Sequence, residues 1–441
     1  MGSQTATRQP ADPSSAPLRL GGVYYGWVLV VMLGITQTIT WGIVYYGFTV
    51  FLPVLEADRG WTRGQMSGAF SIAMLLSGLG AAPVGQWLDA RGPRVLMTAG
   101  SVVATLLLLA LSRVQTLTEF YVVWALTGIV MSGVLYEPAF AVVTAWFERQ
   151  RTRAITAVTL MAGFASTIFM PIEAWLIDLQ GWRTALVTLA AFLAITTILP
   201  HALLLRRRPE DVGQHLDGDP PAPGGTVAVA DASGATDPTR AAPPGRASRP
   251  PVSVSAAIAE PAFRWLALAF SLSTVVNIAI GVHLVAYLQD RAFEPGFAAT
   301  ATGLVGAMQV AGRIVLMLLG DRLPLRVVSA AVLAIQPLSI LVLLLVPSVA
   351  GVFLFIFLFG TMKGALTLIR PSVVVALYGR ARYATMAGAL AAFVLGATAL
   401  APISAGAAFD LLHSYDPLFW VFVVLSALPV GAVLLARHDG E

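Results

Sequence analysis

Residues 85–94 read GQWLDARGPR, and residues 320–326 read GDRLPLR. In each stretch an acid stands five residues before an arginine: Asp89 before Arg94, and Asp321 before Arg326. Each stretch also separates two long apolar runs. Working outward from them, the chain divides into about twelve such runs, near 24–51, 65–87, 94–112, 118–146, 154–178, 184–205, 263–289, 298–320, 326–347, 351–378, 385–408 and 417–436. A helix that crosses a bilayer needs about 20 mainly apolar residues, and each run is close to that length. The pattern predicts an all-α membrane protein with twelve transmembrane helices.

Composition agrees. Of 441 residues, 57% are hydrophobic and 11% charged, against roughly 25% charged in a soluble domain, so most of the chain does not meet water. There is no cysteine, which excludes disulfides and thiolate metal sites. The formal charge of +4 comes from arginines scattered between apolar runs rather than gathered on one face, so no nucleic-acid partner is expected. No P-loop, zinc motif or nucleophile elbow is present; neither an enzyme nor a cofactor or metal is expected.

With the N-terminus in the cytosol, one membrane face receives Arg91, Arg94, Arg149, Arg151, Arg153, Arg206, Arg207, Arg208, Arg322, Arg326, Arg380 and Arg382. The other holds Arg59, Arg63, Arg113, Arg183 and Arg291. This positive-inside bias places both termini in the cytosol. Residues 1–23 are polar and Pro-rich, lack the apolar core of a signal peptide, and are expected to be a disordered cytosolic tail. Residues 209–256, rich in Pro, Gly, Ala and Asp, are expected to be a flexible cytosolic linker. The linker divides a six-helix bundle at 24–208 from a second at 257–436, with 437–441 as a short cytosolic tail. The halves echo each other beyond the two acidic loops: Glu137-Pro138 in the fourth span matches Arg370-Pro371 in the tenth. A six-plus-six repeat of this kind is the mark of a parallel-repeat transporter.

The sequence resembles the major facilitator superfamily. Gly85, Asp89, Gly92 and Arg94 match that family's G-x-x-x-D-x-x-G-x-R loop, and the likeness covers the chain outside the tail and linker. The resemblance implies two pseudo-symmetric six-helix bundles and a cytoplasmic latch involving Asp89, Arg91 and Arg94, with Asp321 and Arg326 as the counterpart pair. A narrower resemblance is to the monocarboxylate porters and the oxalate/formate antiporter group. It rests on YYGWVLV opening the first span, WFERQRTRA after the fourth, RRRPEDVG after the sixth and HLVAYLQD closing the seventh. Two features depart from the monocarboxylate porters: their first-helix lysine is absent, and Arg313 is preceded four residues earlier by Gln309 rather than aspartate.

The candidate site follows from charges inside apolar runs. Lys363 is the one lysine in the chain and lies near the middle of the tenth span. Arg370 follows seven residues later, on the same helix face and about 10 Å along the axis. Each ionised group at the bilayer centre costs about 3 kcal/mol, so both are expected to face protein or an aqueous cavity. The resemblance implies that the first, fourth, seventh and tenth helices line that cavity. Lys363 is a candidate substrate anchor, and the resemblance to monocarboxylate porters implies the same role for Arg313, whose guanidinium can meet a carboxylate with two parallel donors. Gln37, Tyr136 and Asn277 are candidate lining groups, and Gln37, Trp41 and Tyr45 share a stripe on the first span. Glu137 and His283 are proton-coupling candidates. Glu173 is expected to lie near the outer end and meet water. Glu137 and Arg370 are also a candidate gating pair, approaching when the cytoplasmic mouth closes.

These readings converge on a multi-pass cell-membrane transporter, expected as a monomer, that moves a small organic anion of monocarboxylate type with a proton by alternating access. The alternatives are efflux of lipophilic or cationic compounds, and a non-transporting receptor on the same fold.

Overall fold

The computed structural model describes residues 24–219, 260–319 and 324–436. Among the described residues there is no strand, and the long helices are α1 (Tyr25–Arg59), α2 (Arg63–Arg91), α3 (Pro93–Leu111), α4 (Leu117–Trp146), α5 (151–180), α6 (182–204), α7 (Pro261–Asp290), α8 (Pro295–Leu319), α9 (Leu325–Leu345), α10 (Val349–Gly379), α11 (Thr385–Leu412) and α12 (Asp416–Leu435). By length and composition, eleven stretches could cross a membrane. One of them, Arg151–Leu204, turns back at Gly181 and holds both α5 and α6. The twelve apolar runs of the sequence are therefore twelve helices. Asp321 lies outside the described residues, as do the tail 1–23 and residues 437–441.

Two corners depend on glycine. Gly181 and Gly379 hold φ of 77° and 71°, a region that side-chain-bearing residues enter at a cost. Each lets consecutive spans reverse with no intervening loop. Elsewhere the starts are capped. Thr62 and Gln65 form a capping box on α2, and Thr116 and Glu119 do so on α4, satisfying amide groups that the first turn leaves open.

Spans α1 and α4 are not regular. Residues Trp41–Tyr46 of α1 form a π-helical turn. The helix α4 breaks at Leu135, with φ −85° and ψ −149°. Pro138 explains the break: it has no N–H to give the Val134 carbonyl four residues back, and its ring crowds that carbonyl.

The tyrosines that open α1 tie the ends of other helices. The Tyr24 hydroxyl donates to the Trp146 carbonyl at 2.7 Å, and the Tyr25 hydroxyl to the Leu204 carbonyl at 2.8 Å. Both carbonyls belong to last turns, where no intrahelical donor remains. The described part of the segment expected as a flexible linker, 209–219, is held in place. It forms two 3-10 turns, and Asp217 accepts from the backbone N–H groups of Glu148, Arg149 and Gln150 at 3.1, 2.9 and 3.2 Å.

The halves meet along three helix pairs, α2 with α11, α5 with α8, and α1 with α7. Leu106, Leu179, Leu318, Leu400 and Leu411 stand exposed on the outer faces of the helices, as side chains in contact with lipid do.

Candidate functional site

The hydrogen bonds between halves concentrate toward the ends of α2, α7 and α11 that carry Arg63, Asp290 and Asp410. Arg63 is 5% exposed. Its guanidinium donates two bonds to Asp290, at 2.6 and 2.8 Å, and one to Glu56 at 2.8 Å, and it lies 3.9 Å from the centre of the Phe409 ring. Beside it, Asp410 accepts from the Thr62 hydroxyl at 2.5 Å and the Gly64 amide at 3.0 Å. About two turns deeper, the Ser71 hydroxyl accepts from the Ile403 amide at 3.1 Å. On the other flank, Ser166 and Thr167 of α5 donate to the Gly303 carbonyl of α8 at 3.0 and 2.8 Å.

Toward the opposite end, the halves part. A Cβ placed on Gly78 of α2 would strike Leu395 of α11, whereas one placed on Gly85, Gly388 or Gly396 meets nothing within 4 Å. The described halves are thus joined by side-chain bonds at the Arg63 end, while Gly85, Gly388 and Gly396 toward the Asp89 end face open space.

His283 belongs to the closed end. It is fully buried, with the Tyr415 hydroxyl at 2.7 Å, the Pro402 carbonyl at 3.1 Å and the Ser67 hydroxyl at 3.3 Å. It joins α2 to α7, α11 and α12.

Between the two ends lies an aromatic group around the π turn. The Trp41 ring is 4.9 Å from both Tyr45 and Tyr136 and 6.3 Å from Tyr46, and Tyr136 stacks on Phe140 at 5.0 Å. Gln309 and Arg313 of α8 are electrostatic neighbours of the Tyr46 hydroxyl. Arg313 donates to the Thr159 carbonyl of α5 at 3.1 Å, while its Nε is buried without a partner. Lys363 lies across from α7: a Cβ on Gly281 would sit 3.9 Å from its Nζ. No hydrogen bond or ion pair holds that ammonium, and Arg313 is the charge it feels most.

The two amides are committed in part. The Gln37 Nε2 donates to the Val134 carbonyl at 2.7 Å, the group that Pro138 leaves unpaired, and its Oε1 is buried without a partner. The Asn277 Nδ2 donates to the Ser273 carbonyl at 2.9 Å, and its Oδ1 is likewise unpartnered. Glu137 is exposed, with no ion pair or hydrogen bond, and it makes none with the half-buried Arg370.

At the Asp89 end, the groups expected as a latch bond within their own half. Arg94 donates to the Ala202 carbonyl at 2.6 Å, Arg91 covers the Trp87 ring at 4.5 Å, and the Asp89 carbonyl accepts from Arg207. A cleft of about 150 Å³ lies among Asp89, Pro93, Arg207 and Arg208. In the second half, Arg326 donates to the Ala436 carbonyl at 3.2 Å.

One expectation is corrected. Glu173, read as meeting water near the outer end, is 0% exposed, and neither carboxylate oxygen has a partner. It is enclosed because α5 packs against α1 where Gly47 has no side chain: a Cβ there would lie 3.0 Å from the Glu173 Oε1. The Arg63 cluster was also missed. Its one trace in the sequence is the aspartate that ends HLVAYLQD, since nothing local pairs that acid with an arginine 227 positions away.

The Major Facilitator Superfamily profile matches residues 30–342. The bovine (Bos taurus) monocarboxylate transporter 13 is 25% identical over 359 residues, covering 80% of this chain and 76% of that protein. The human (Homo sapiens) monocarboxylate transporter 11 is 29% identical over 223 residues, covering 50% of this chain and 44% of that one. Among solved structures, a bacterial homologue of the human lysosomal transporter Spinster, crystallised in an inward-facing and occupied conformation, superposes with a TM-score of 0.69 at 15% identity, over 96% of this chain and all of that one. The nucleoside transporter NupG superposes with a TM-score of 0.69 at 12% identity, over 94% of this chain and all of that one.

Proposed function

The chain belongs to the Major Facilitator Superfamily, and from that premise we propose that this transporter moves a small organic anion of monocarboxylate type together with a proton. The observation that carries this reading is Lys363, an ammonium with no partner in the middle of a membrane-length helix, facing α7 with Arg313 as its nearest strong electrostatic influence. Two cations without a counter-ion cost free energy in a poorly solvated place, and a bound carboxylate would offset that cost. The aromatic group at Trp41, Tyr45, Tyr46 and Tyr136 would enclose the apolar part of a small solute. The names of the relatives at 25–29% identity point the same way.

The mechanism is alternating access at the cell membrane, with both termini cytosolic. In that orientation the Arg63 end is the outer gate and the structure is inward-open. Binding an anion between Lys363 and Arg313 would draw α10 and α8 toward the aromatic groups of α1 and α4, and the inner mouth would close around Glu137 and Arg370. Uptake of labelled carboxylates into proteoliposomes, with and without an inwardly directed proton gradient, tests the proposal. Gradient-stimulated uptake of at least one carboxylate is expected; transport unaffected by any carboxylate overturns it.

A second reading rests on Glu137, exposed and unpaired, which suits a cationic substrate. In the same vesicles, proton-driven movement of a lipophilic cation with no carboxylate transport would establish that alternative.

A further inference from the structure

Glu173 lies outside the sequence-predicted site. Its carboxyl is fully enclosed, both oxygens lack hydrogen-bond partners, and it lies against Gly47, the residue that follows the π turn of α1. Charged groups on the surrounding elements are engaged elsewhere. Asp58 faces Arg59 and Arg183, Glu56 faces Arg63, Arg313 bonds the Thr159 carbonyl and Arg94 the Ala202 carbonyl. The hydroxyls of Tyr45 and Tyr46, the ring of His201 on α6 and Asp178 on the same helix make no bond to it; His201 is held by Ser101 and Thr36. An ionised carboxylate enclosed in this way, without a hydrogen-bond donor, is strongly disfavoured. The neutral acid costs far less.

The closed interface between the halves comes within one turn of Glu173 on α5. One turn along α5, Met170 packs with Val50 of α1 and Ala299 of α8, just beyond the bonds from Ser166 and Thr167 to Gly303. Separating α5 from α8 at this end would uncover the approach to the carboxyl.

We propose that Glu173 is a proton-binding site whose protonation licenses closure of the Arg63 end. With that end open, water solvates the carboxylate. A proton taken from that water gives the carboxylic acid, and only the acid enters the dry packing against Gly47 without an uncompensated charge. The π turn, a helical irregularity common at functional sites, connects this event to Trp41, Tyr45 and Tyr46. The proposal rests on the alternating-access reading but not on the substrate, so its test is done without one.

Paired spin labels on the ends of α2 and α11 report the closed fraction at the Arg63 end across a pH series in wild-type protein and Glu173→Gln. One linked proton changes the closed-to-open ratio by at most about tenfold per pH unit. The wild type is expected to open at this end as pH rises. Glu173→Gln, which keeps the shape of the neutral acid, is expected to stay closed without that pH dependence. His283, Asp290, Asp410 and Glu56 are other titratable groups at this end, and a variant that retained the wild-type pH dependence would move the effect to them and overturn the proposal. Infrared spectra provide a measurement independent of the variant. Wild-type protein at neutral pH should show a protonated-carboxyl stretch, and its absence would also overturn the proposal.

Discussion

At the residue scale, the lone lysine and one aspartate outside the spans support distinct expectations. Replacing Lys363 with alanine removes the unpartnered ammonium between α7 and α10. A charge-assisted hydrogen bond contributes about 1.5–3 kcal/mol, so carboxylate uptake should fall roughly tenfold or more, while expression and thermal stability hold. Uptake kinetics like those of wild type would show that the ammonium takes no part in binding. Asp217 lies outside the membrane-spanning helices, and its side chain is 3% exposed. Partial burial pushes its carboxyl up, but the N–H groups of Arg149, Gln150 and Glu148 and the Arg149 charge outweigh this and hold it below the usual carboxylate range. The sign follows: docking of 209–219 is fully present above the ordinary carboxylate value and is lost only as pH falls through the depressed one. Protection of the Glu148, Arg149 and Gln150 amides, measured against the intrinsic exchange rate at each pH, should therefore persist under mild acid in wild type and be lost at all pH values in Asp217→Ala. Equal exchange in the two proteins would dissociate the aspartate from the docking.

At the element scale, close approach of helices sets what can move. A Cβ on Gly306 of α8 would come within 2.6 Å of the Gly163 carbonyl of α5, and one on Gly303 within 2.6 Å of the Ser166 carbonyl. Neither backbone atom can turn aside as a side chain could. Gly306→Val should hold α5 and α8 apart at this level and shift the protein away from the closed Arg63 end. Cysteine pairs across the Arg63 end should then crosslink several-fold more slowly than in wild type; an unchanged rate would mean that the pair adapts. The reason for the two prolines is also legible here. Pro138 breaks α4 at Leu135, and Gln37 takes the Val134 carbonyl it frees. Pro371, its counterpart, lies inside an unbroken α10. Matched sequence positions thus lead to unlike local structures, because Leu135 takes an extended ψ and no residue of α10 before Gly379 does so.

At the scale of the whole molecule, the bonds between the halves gather at the Arg63 end. Asp290→Asn removes the charge that Arg63 meets with two bonds. Since Asp290 is 37% exposed, water takes up part of the loss, and the closed Arg63 end should weaken by about 1 kcal/mol, roughly fivefold in population. Spin-label distances across that end would record it; an unaltered distribution would make Arg63 a packing group held by Phe409 and Glu56. At the other end, Glu137 and Arg370 are unpaired in this conformation. They should pair when the inner mouth closes, so Glu137→Gln and Arg370→Gln should each lower the inner-closed population, and the double variant should lose less than the sum. A coupling energy near zero in that double-mutant cycle would leave the matched positions without a shared role.

Residues close together in the chain were enough for the helices. The twelve apolar runs and the loop at 85–94 follow from length and polarity, both of which are local, whereas the reversals at Gly181 and Gly379 were seen only in the structure. The cations inside the membrane were legible for the same reason, because Lys363 and Arg313 interrupt apolar runs. Distant partners were not legible. Arg63 meets Asp290 and Asp410 meets Thr62 only because α2, α7 and α11 converge, and His283 lies in that interface rather than in the cavity for the same reason. The enclosure of Glu173 required α1 to come against α5 at Gly47. A carboxyl near the end of an apolar run reads as solvated; whether water reaches it depends on the packing of other helices, which only the tertiary structure decides.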